Sequence, residues 1–176
     1  AAAQPLLTQL RALALAPPPE LLQPGASRAR SGILGGYLQQ LKGLPPQTLQ
    51  ALADSCPDDS APHSLDWAQV QRLERSALVR FGPHGASHGI LTRLDGAAMR
   101  ADLQRSHHAL QEHCQAPLGV YCYPNGDHNP EVRAAVAELG YRYALGTRPG
   151  LIEADGNPLL ALPRIDVSHA SAGRPG

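Results

Sequence analysis

From Ser64 onward, segments with helical periodicity alternate with short apolar runs of the kind that form strands. The order is helix, strand, helix, strand, helix, strand, loop, strand. This alternation favours an α/β fold with a parallel sheet, because parallel strands are joined by crossover connections that usually contain a helix. The predicted strands are Leu78–Phe81, Gly119–Tyr123, Tyr141–Leu145 and Leu162–Val167.

The helices between these strands carry start signals. Asp66 and Gln69 have the spacing of a capping box, in which each side chain bonds the backbone N–H of the other residue. Asn129 can cap a helix over Pro130–Leu139, because proline is tolerated in a first turn. A long helix is predicted over 95–116, ahead of a proline.

The first 63 residues have a different character, with short helical segments separated by loops that contain proline. No cluster of side chains in this part suggests chemistry. We therefore predict a helical insertion or covering segment over 1–63 and the functional part over 64–176. The pair Asp58-Asp59 lies in a Pro/Ser loop and is interpreted as a solvated turn. The predicted helices are 1–16, Ile33–Lys42 and Gln47–Ala53.

Composition excludes several classes of function. The 15 basic and 15 acidic residues give a formal net charge of zero, so no basic field indicates nucleic acid or anionic lipid. Three cysteines without a CxxC pair do not indicate a disulfide framework. No apolar run approaches the ~20 residues of a membrane span. Gln9 and Arg11 interrupt the apolar opening segment, which makes it a poor signal-peptide core, and the compartment stays open.

Two polar motifs follow predicted strands. His84 and His88 lie four residues apart, and neutral imidazoles are common metal ligands that can converge on one ion from such a loop. The second motif is Tyr-Pro-Asn-Gly-Asp, at Tyr123–Asp127. In α/β folds the chemistry lies at the carboxyl ends of the strands. We therefore predict that the two motifs meet at one rim.

These motifs, in this order, resemble the polysaccharide deacetylase family (carbohydrate esterase family 4, the NodB-homology domain). The resemblance runs from about Leu65 to Val167 and includes HGASH, YPNGD and a Gly-Tyr-x-Tyr-Ala run at Gly140–Ala144. It implies a partial, distorted (β/α) barrel. It also implies that residues 1–63 are the variable helical insertion that some members carry ahead of a helix rich in Trp and Leu.

The resemblance implies a divalent metal, usually zinc, held by two histidines and one aspartate, with His84 and His88 as the imidazole ligands. The implied reaction is hydrolysis of N-acetyl groups from amino-sugar polysaccharides or oligosaccharides. The backbone N–H of Asn125 would stabilise the oxyanion. His169 is the candidate for the general acid of a terminal Leu-x-His motif, with an ordinary surface histidine as the alternative.

The chain departs from the family pattern in three places. The opening Thr-Phe-Asp-Asp motif, which supplies the base and the metal-binding aspartate, is absent from the sequence. We therefore expect the back portion of a deacetylase, with doubtful activity by itself. Gly85 stands where the family usually has Ser or Thr, which removes a hydroxyl that steadies the ligand loop. Cys122 stands where many members have an arginine that pairs with the catalytic aspartate.

Candidate substrate-binding residues lie around the predicted rim. Arg164 and Asp166 alternate on the last strand, so they share one face and either orient the site or form a structural ion pair. Two interpretations also stay open for Asp127, a turn-stabilising residue or a carboxylate that faces the substrate. Tyr123 and Pro124 complete this set.

Two alternatives to an enzyme remain. One is a non-catalytic domain that keeps the fold and binds a carbohydrate or another partner. The other is an unrelated zinc-binding module, which would require a third ligand from Cys114, Cys122 or His128 near the histidine pair.

Overall fold

The chain divides into two units, Ala1–His63 and Ser64–Gly176. No described helix is both long enough and apolar enough to cross a membrane. The computed structural model describes residues 4–24, 28–56, 64–153, 156 and 158–165.

The first unit consists, over its described residues, of three α-helices joined by turns that contain proline. Leu10 and Leu52 are its buried apolar side chains among those described. The hydroxyl of Tyr37 donates a hydrogen bond of 2.8 Å to the carbonyl of Leu15. The three predicted helices are present, although the first ends at Ala12 instead of residue 16 and the second begins before Ile33. Their bounds are α1 Gln4–Ala12, α2 Arg28–Lys42 and α3 Pro46–Asp54.

Over its described residues, the second unit has a sheet of three short strands. The middle strand pairs in parallel with a neighbour on each side. The predicted parallel sheet is therefore confirmed, and the partial barrel stays a prediction. The strand predicted over Tyr141–Leu145 begins at Tyr143 and continues to Pro149, and the strand predicted over Leu162–Val167 ends at Arg164. The bounds are β1 Val120–Cys122, β2 Tyr143–Pro149 and β3 Leu162–Arg164.

The helices of the second unit begin where the capping residues predict. The Asp66 carboxylate accepts from the Gln69 N–H at 2.7 Å, and the Gln69 side chain accepts from the Asp66 N–H at 2.9 Å, which confirms the capping box. Asn129 accepts from the Val132 N–H at 2.8 Å. The bounds are α4 Trp67–Arg75, α5 Gly96–His113 and α6 Pro130–Glu138.

The strand predicted over Leu78–Phe81 is wrong. The chain here runs beside β1 and accepts two backbone hydrogen bonds. The Leu118 N–H donates to the Phe81 carbonyl at 2.7 Å, and the Cys122 N–H donates to the Pro83 carbonyl at 3.0 Å. Pro83 has no N–H to return a bond, so a regular ladder cannot form here. An apolar run alone could not reveal this.

The core of the second unit lies between α5, α6 and the sheet. Its centre is a group of tyrosine rings, with centroids 5.3 Å apart for Tyr121 and Tyr123 and 5.8 Å apart for Tyr121 and Tyr141. The buried cluster consists of Leu91, Met99, Leu103, Tyr121, Tyr123, Val132, Ala135, Val136, Tyr141 and Ala144. This packing fixes the ends of β1 and β2, where the polar motifs lie.

Candidate functional site

The loop His84–His88, called here the histidine loop, brings its two imidazoles together. Their ring centroids are 4.8 Å apart and the ring planes meet at 75°. Both side chains are exposed. His88 has a positive φ of 56°, which turns the chain back at the end of the loop. The two rings of the predicted pair therefore lie together at the surface of the second unit.

A backbone carbonyl at the end of β1 orients the His84 ring. Nδ1 of His84 lies 2.9 Å from the carbonyl oxygen of Cys122. A carbonyl oxygen only accepts, so Nδ1 carries the proton, and Nε2 of the neutral ring keeps its lone pair. Histidines that bind metals are typically oriented in this way through their second nitrogen.

The two imidazoles fit part of a divalent-metal site. Imidazole nitrogen suits zinc and similar ions, and such sites usually take three or four protein donors. Over the part of the chain that the structure describes, no group of three or more His, Cys, Asp or Glu side chains converges. Cys114, Cys122 and His128 therefore do not complete the pair, and any further donor would come from outside the described residues.

The backbone between the two histidines is held by Asp102, a residue of α5. Its carboxylate accepts from the N–H of Ala86 at 2.9 Å and from the N–H of Ser87 at 2.9 Å. Asp102 is 1% exposed. Sequence reasoning missed this residue. The available signal was its helical register with Met99 and Leu103, which places a carboxylate on the buried face of α5.

Gly85 fits the same arrangement. Its φ is 78°, in the left-handed region that favours glycine. A Cβ at this position would lie 2.9 Å from Oδ2 of Asp102 and 3.2 Å from Cγ of Pro124. Gly85, which stands where the family usually has Ser or Thr, therefore lets the loop backbone lie close to the Asp102 carboxylate.

The second rim motif is the turn Pro124–Asp127, called here the PNGD turn. The Gly126 N–H donates to the Tyr123 carbonyl at 2.9 Å, and the Asp127 N–H donates to the Pro124 carbonyl at 3.3 Å. The Asn125 side-chain amide donates to the Asp127 carboxylate at 2.9 Å. Asn125, the predicted oxyanion residue, has a φ of 58°. Asp127 is therefore engaged within the turn.

The PNGD turn also packs against β2. A Cβ on Gly126, whose φ is 81°, would overlap the Thr147 side chain, with Cβ–Cβ at 2.7 Å. Beneath the turn, the Tyr123 side chain is fully buried and its hydroxyl donates to the Leu160 carbonyl at 2.9 Å. Burial raises the pKa of Tyr123 to about 12. Tyr123 and the buried Pro124 support the turn from below, and a substrate contact by either stays a prediction.

The remaining predicted site residues lie on or after β3. Arg164 is exposed, and its Nε donates to the Gly146 carbonyl at 2.7 Å, which ties β3 to β2. Asp166 and His169 lie outside the described residues, as does Asp58-Asp59. The predicted sharing of one face by Arg164 and Asp166 therefore stays a prediction.

A cavity of about 450 Å³ lies beside the PNGD turn, with Gly126, His128 and Thr147 in its wall. The His128 ring packs on Tyr123, with centroids 4.8 Å apart. Burial, together with the nearby Arg133, lowers the pKa of His128, while Asp127 opposes the shift. The Thr147 hydroxyl donates to the Asn125 carbonyl at 3.4 Å, so this wall of the cavity is tied to the PNGD turn.

A family model described as polysaccharide deacetylase matches residues 43–144. This is more than half of the 176-residue chain. The match begins ahead of Leu65, inside the part predicted to be an insertion. No curated protein sequence matches the chain.

Solved structures of deacetylases share the fold. The Streptococcus pyogenes deacetylase PplD, solved in complex with acetate, has a TM-score of 0.56 and 23% identity over 62% of this chain and 47% of that one. A polysaccharide deacetylase from Bacillus cereus has a TM-score of 0.53 and 18% identity, over 68% of this chain and 42% of that one. The BpsB deacetylase domain from Bordetella bronchiseptica has a TM-score of 0.50 and 23% identity, over 60% of this chain and 50% of that domain. The chain spans about half the length of these structures.

Proposed function

Because the chain belongs to the polysaccharide deacetylase family, we propose that it carries part of a metal-dependent site that removes N-acetyl groups from amino-sugar polysaccharides. The observation that carries this proposal is the contact between the His84 and His88 rings of the His-x-x-x-His motif, whose centroids lie 4.8 Å apart. The proposed reaction breaks the amide C–N bond with one water molecule and yields acetate and a free amine.

His84 and His88 would hold a divalent metal, which we propose to be zinc. Such an ion supplies Lewis acidity toward an acyl carbonyl and toward water. The Cys122 carbonyl supports this role, because it fixes the proton of His84 on Nδ1. The third ligand and the base are proposed to be carboxylates outside the described residues.

The backbone N–H of Asn125 is the proposed donor to the oxyanion. The side-chain bond from Asn125 to Asp127 and the two backbone bonds of the PNGD turn hold this residue in place. A donor that is already oriented stabilises developing charge without reorganisation during the reaction. His169 is the proposed general acid.

The proposed substrate is an acetylated polysaccharide or oligosaccharide. Asp127, Arg164 and Asp166 are the proposed polar contacts, and the cavity beside the PNGD turn offers room for a sugar ring. The acetate in the PplD complex supports acetate as the product. In this proposal residues 64–176 form part of a distorted (β/α) barrel, and residues 1–63 are a helical insertion or covering segment.

The second candidate is a carbohydrate-binding domain that keeps the fold without the chemistry. The observation in its favour is that only two potential ligands converge at the site over the described residues. Zinc binding and acetate release separate the candidates.

Calorimetric titration with zinc chloride, followed by an acetate-release assay on N-acetylglucosamine oligomers, tests the proposal. We expect His84→Ala and His88→Ala each to abolish zinc binding. The control His108→Ala removes an exposed histidine of α5 and should bind zinc as the unmodified chain does. Unchanged zinc affinity in both loop variants would refute the ligand assignment. Acetate release that is lost together with zinc binding in His84→Ala would exclude the binding domain.

A further inference from the structure

Asp102 is the one charged residue among the buried side chains of α5, which also include Met99, Leu103 and Ser106. Its side chain is 2% exposed, and its neighbours in the helical register, Met99 and Leu103, belong to the core. Burying a carboxylate is unfavourable unless hydrogen bonds satisfy its oxygens. The partners of Asp102 therefore indicate what the residue does.

Both oxygens of Asp102 bond the histidine loop. Oδ2 accepts from Ala86 and Oδ1 accepts from Ser87, each at 2.9 Å. These two residues lie between His84 and His88, so one carboxylate fixes the backbone that connects the two imidazoles. Arg105 adds an ion pair at 3.2 Å, but its side chain is 67% exposed, so solvent screens that contact.

The other contacts of the loop are local or lie near its ends: the Ser87 hydroxyl, for example, accepts from the neighbouring Gly89 N–H at 3.2 Å. His84 is bonded to the Cys122 carbonyl through its ring, and Gly85 is packed between Asp102 and Pro124. The loop has no strand ladder of its own. Asp102 is thus the anchor that reaches the middle of the loop from a rigid helix.

We propose that Asp102 is a positioning residue that holds the His84 and His88 rings in their facing arrangement, and thereby prepares them to bind one metal ion. Its consequence for metal affinity rests on the proposed function; its effect on the rings does not. A residue that supports ligands in this way is expected to change affinity without touching the ion.

The test compares Asp102→Asn with Asp95→Ala. Asparagine keeps the size of the side chain but has one acceptor oxygen, so one of the two loop bonds is lost. Asp95 caps the same helix by accepting from the Ala98 N–H at 2.8 Å. Asp95→Ala therefore weakens α5 through an equivalent bond without touching the loop, and controls for general destabilisation.

Two measurements are made on each protein. In the metal-free state, NMR records hydrogen exchange at the Ala86 and Ser87 amides and the nuclear Overhauser contact between the His84 and His88 rings. The second measurement is a calorimetric titration with zinc chloride, which records zinc affinity. The exchange measurement on the unmodified chain remains decisive even if Asp102→Asn does not fold.

The proposal predicts protected amides and a ring contact in the unmodified chain and in Asp95→Ala. In Asp102→Asn it predicts loss of protection at one of the two amides and loss of the ring contact, with zinc binding weakened about 10- to 100-fold. Unprotected amides in the unmodified chain, or rings and zinc affinity unchanged in Asp102→Asn, would overturn it. If His84→Ala binds zinc normally, the proposed ligand assignment fails, and the ring contact alone decides the role of Asp102.

Discussion

The two motifs at the rim of the sheet are held in place by different means. The PNGD turn is closed by its own atoms, through two backbone bonds and one side-chain bond between Asn125 and Asp127. The histidine loop is held by Asp102, which lies 15 and 16 residues away from its two partners in the sequence. A self-closed turn depends on local sequence, whereas an anchored loop depends on the position of a helix.

This difference matters for the proposed chemistry. The PNGD turn would offer a backbone donor that its own bonds already orient. The histidine loop would offer two side chains whose approach to each other depends on a contact with α5. We therefore expect changes in α5 to alter the histidine pair more than the turn.

The largest loss of stability is expected from a substitution within the PNGD turn. Gly126→Ala places a Cβ against Thr147 at a φ of 81°. We expect a loss of about 3 kcal/mol in the free energy of unfolding, because overpacking and a strained backbone act together. Urea denaturation measures the loss, and Gly126→Ala combined with Thr147→Ala should recover part of it. An unchanged urea midpoint in the single variant would contradict the packing of the turn on β2.

The next largest loss of stability is expected when a bond between Asp102 and the histidine loop is removed. Asp102→Asn should lower the free energy of unfolding by about 2 kcal/mol, because it removes one of the two hydrogen bonds that the buried, charged carboxylate accepts from the loop. Denaturation monitored by the fluorescence of Trp67 provides the measurement. Arg105→Gln is the matched variant on the exposed side of the same contact, and we expect less than about 0.5 kcal/mol there. Equal losses in both would show that the ion pair matters more than the loop bonds.

A smaller effect is expected at the side-chain bond of the PNGD turn. Asp127→Ala removes the acceptor for Asn125 but leaves both backbone bonds in place. The expected loss in the free energy of unfolding is about 0.5–1 kcal/mol, the range for a single partly solvated hydrogen bond. Urea denaturation again measures it. A loss larger than that of Asp102→Asn would reverse the comparison between the two motifs.

The smallest effect concerns pH. Burial lowers the pKa of His128 in the folded chain, while in the unfolded chain the pKa is about 6.5. The unfolded state therefore takes up a proton first as the pH falls, and the contribution of neutral His128 to stability declines below about pH 6.5. His128→Gln should show a shallower decline in melting temperature between about pH 7 and pH 5. Parallel curves for both proteins would contradict this.

Local chemistry made some parts of the site predictable. Asp66 and Gln69 indicated a capping box, and the Pro-Asn-Gly sequence indicated a turn, since both motifs close within a few residues. The facing of His84 and His88 followed from their position after a run beside β1, even though that run is not a strand.

Other parts depend on tertiary contacts that the sequence does not display. Asp102 bonds the histidine loop only because α5 packs with that face toward it. Tyr123 is fully buried beneath the turn, and its hydroxyl bonds the distant Leu160 carbonyl; its contact with substrate stays a prediction.

The central claim is that His84 and His88 bind the same ion. An NMR titration with zinc chloride, followed on the imidazole resonances of all eight histidines, tests it most directly. The account predicts that His84 and His88 change together and saturate at one zinc per chain, while His108 and His113 on α5 do not respond. Separate saturation of the two rings, or no response from either, would contradict it.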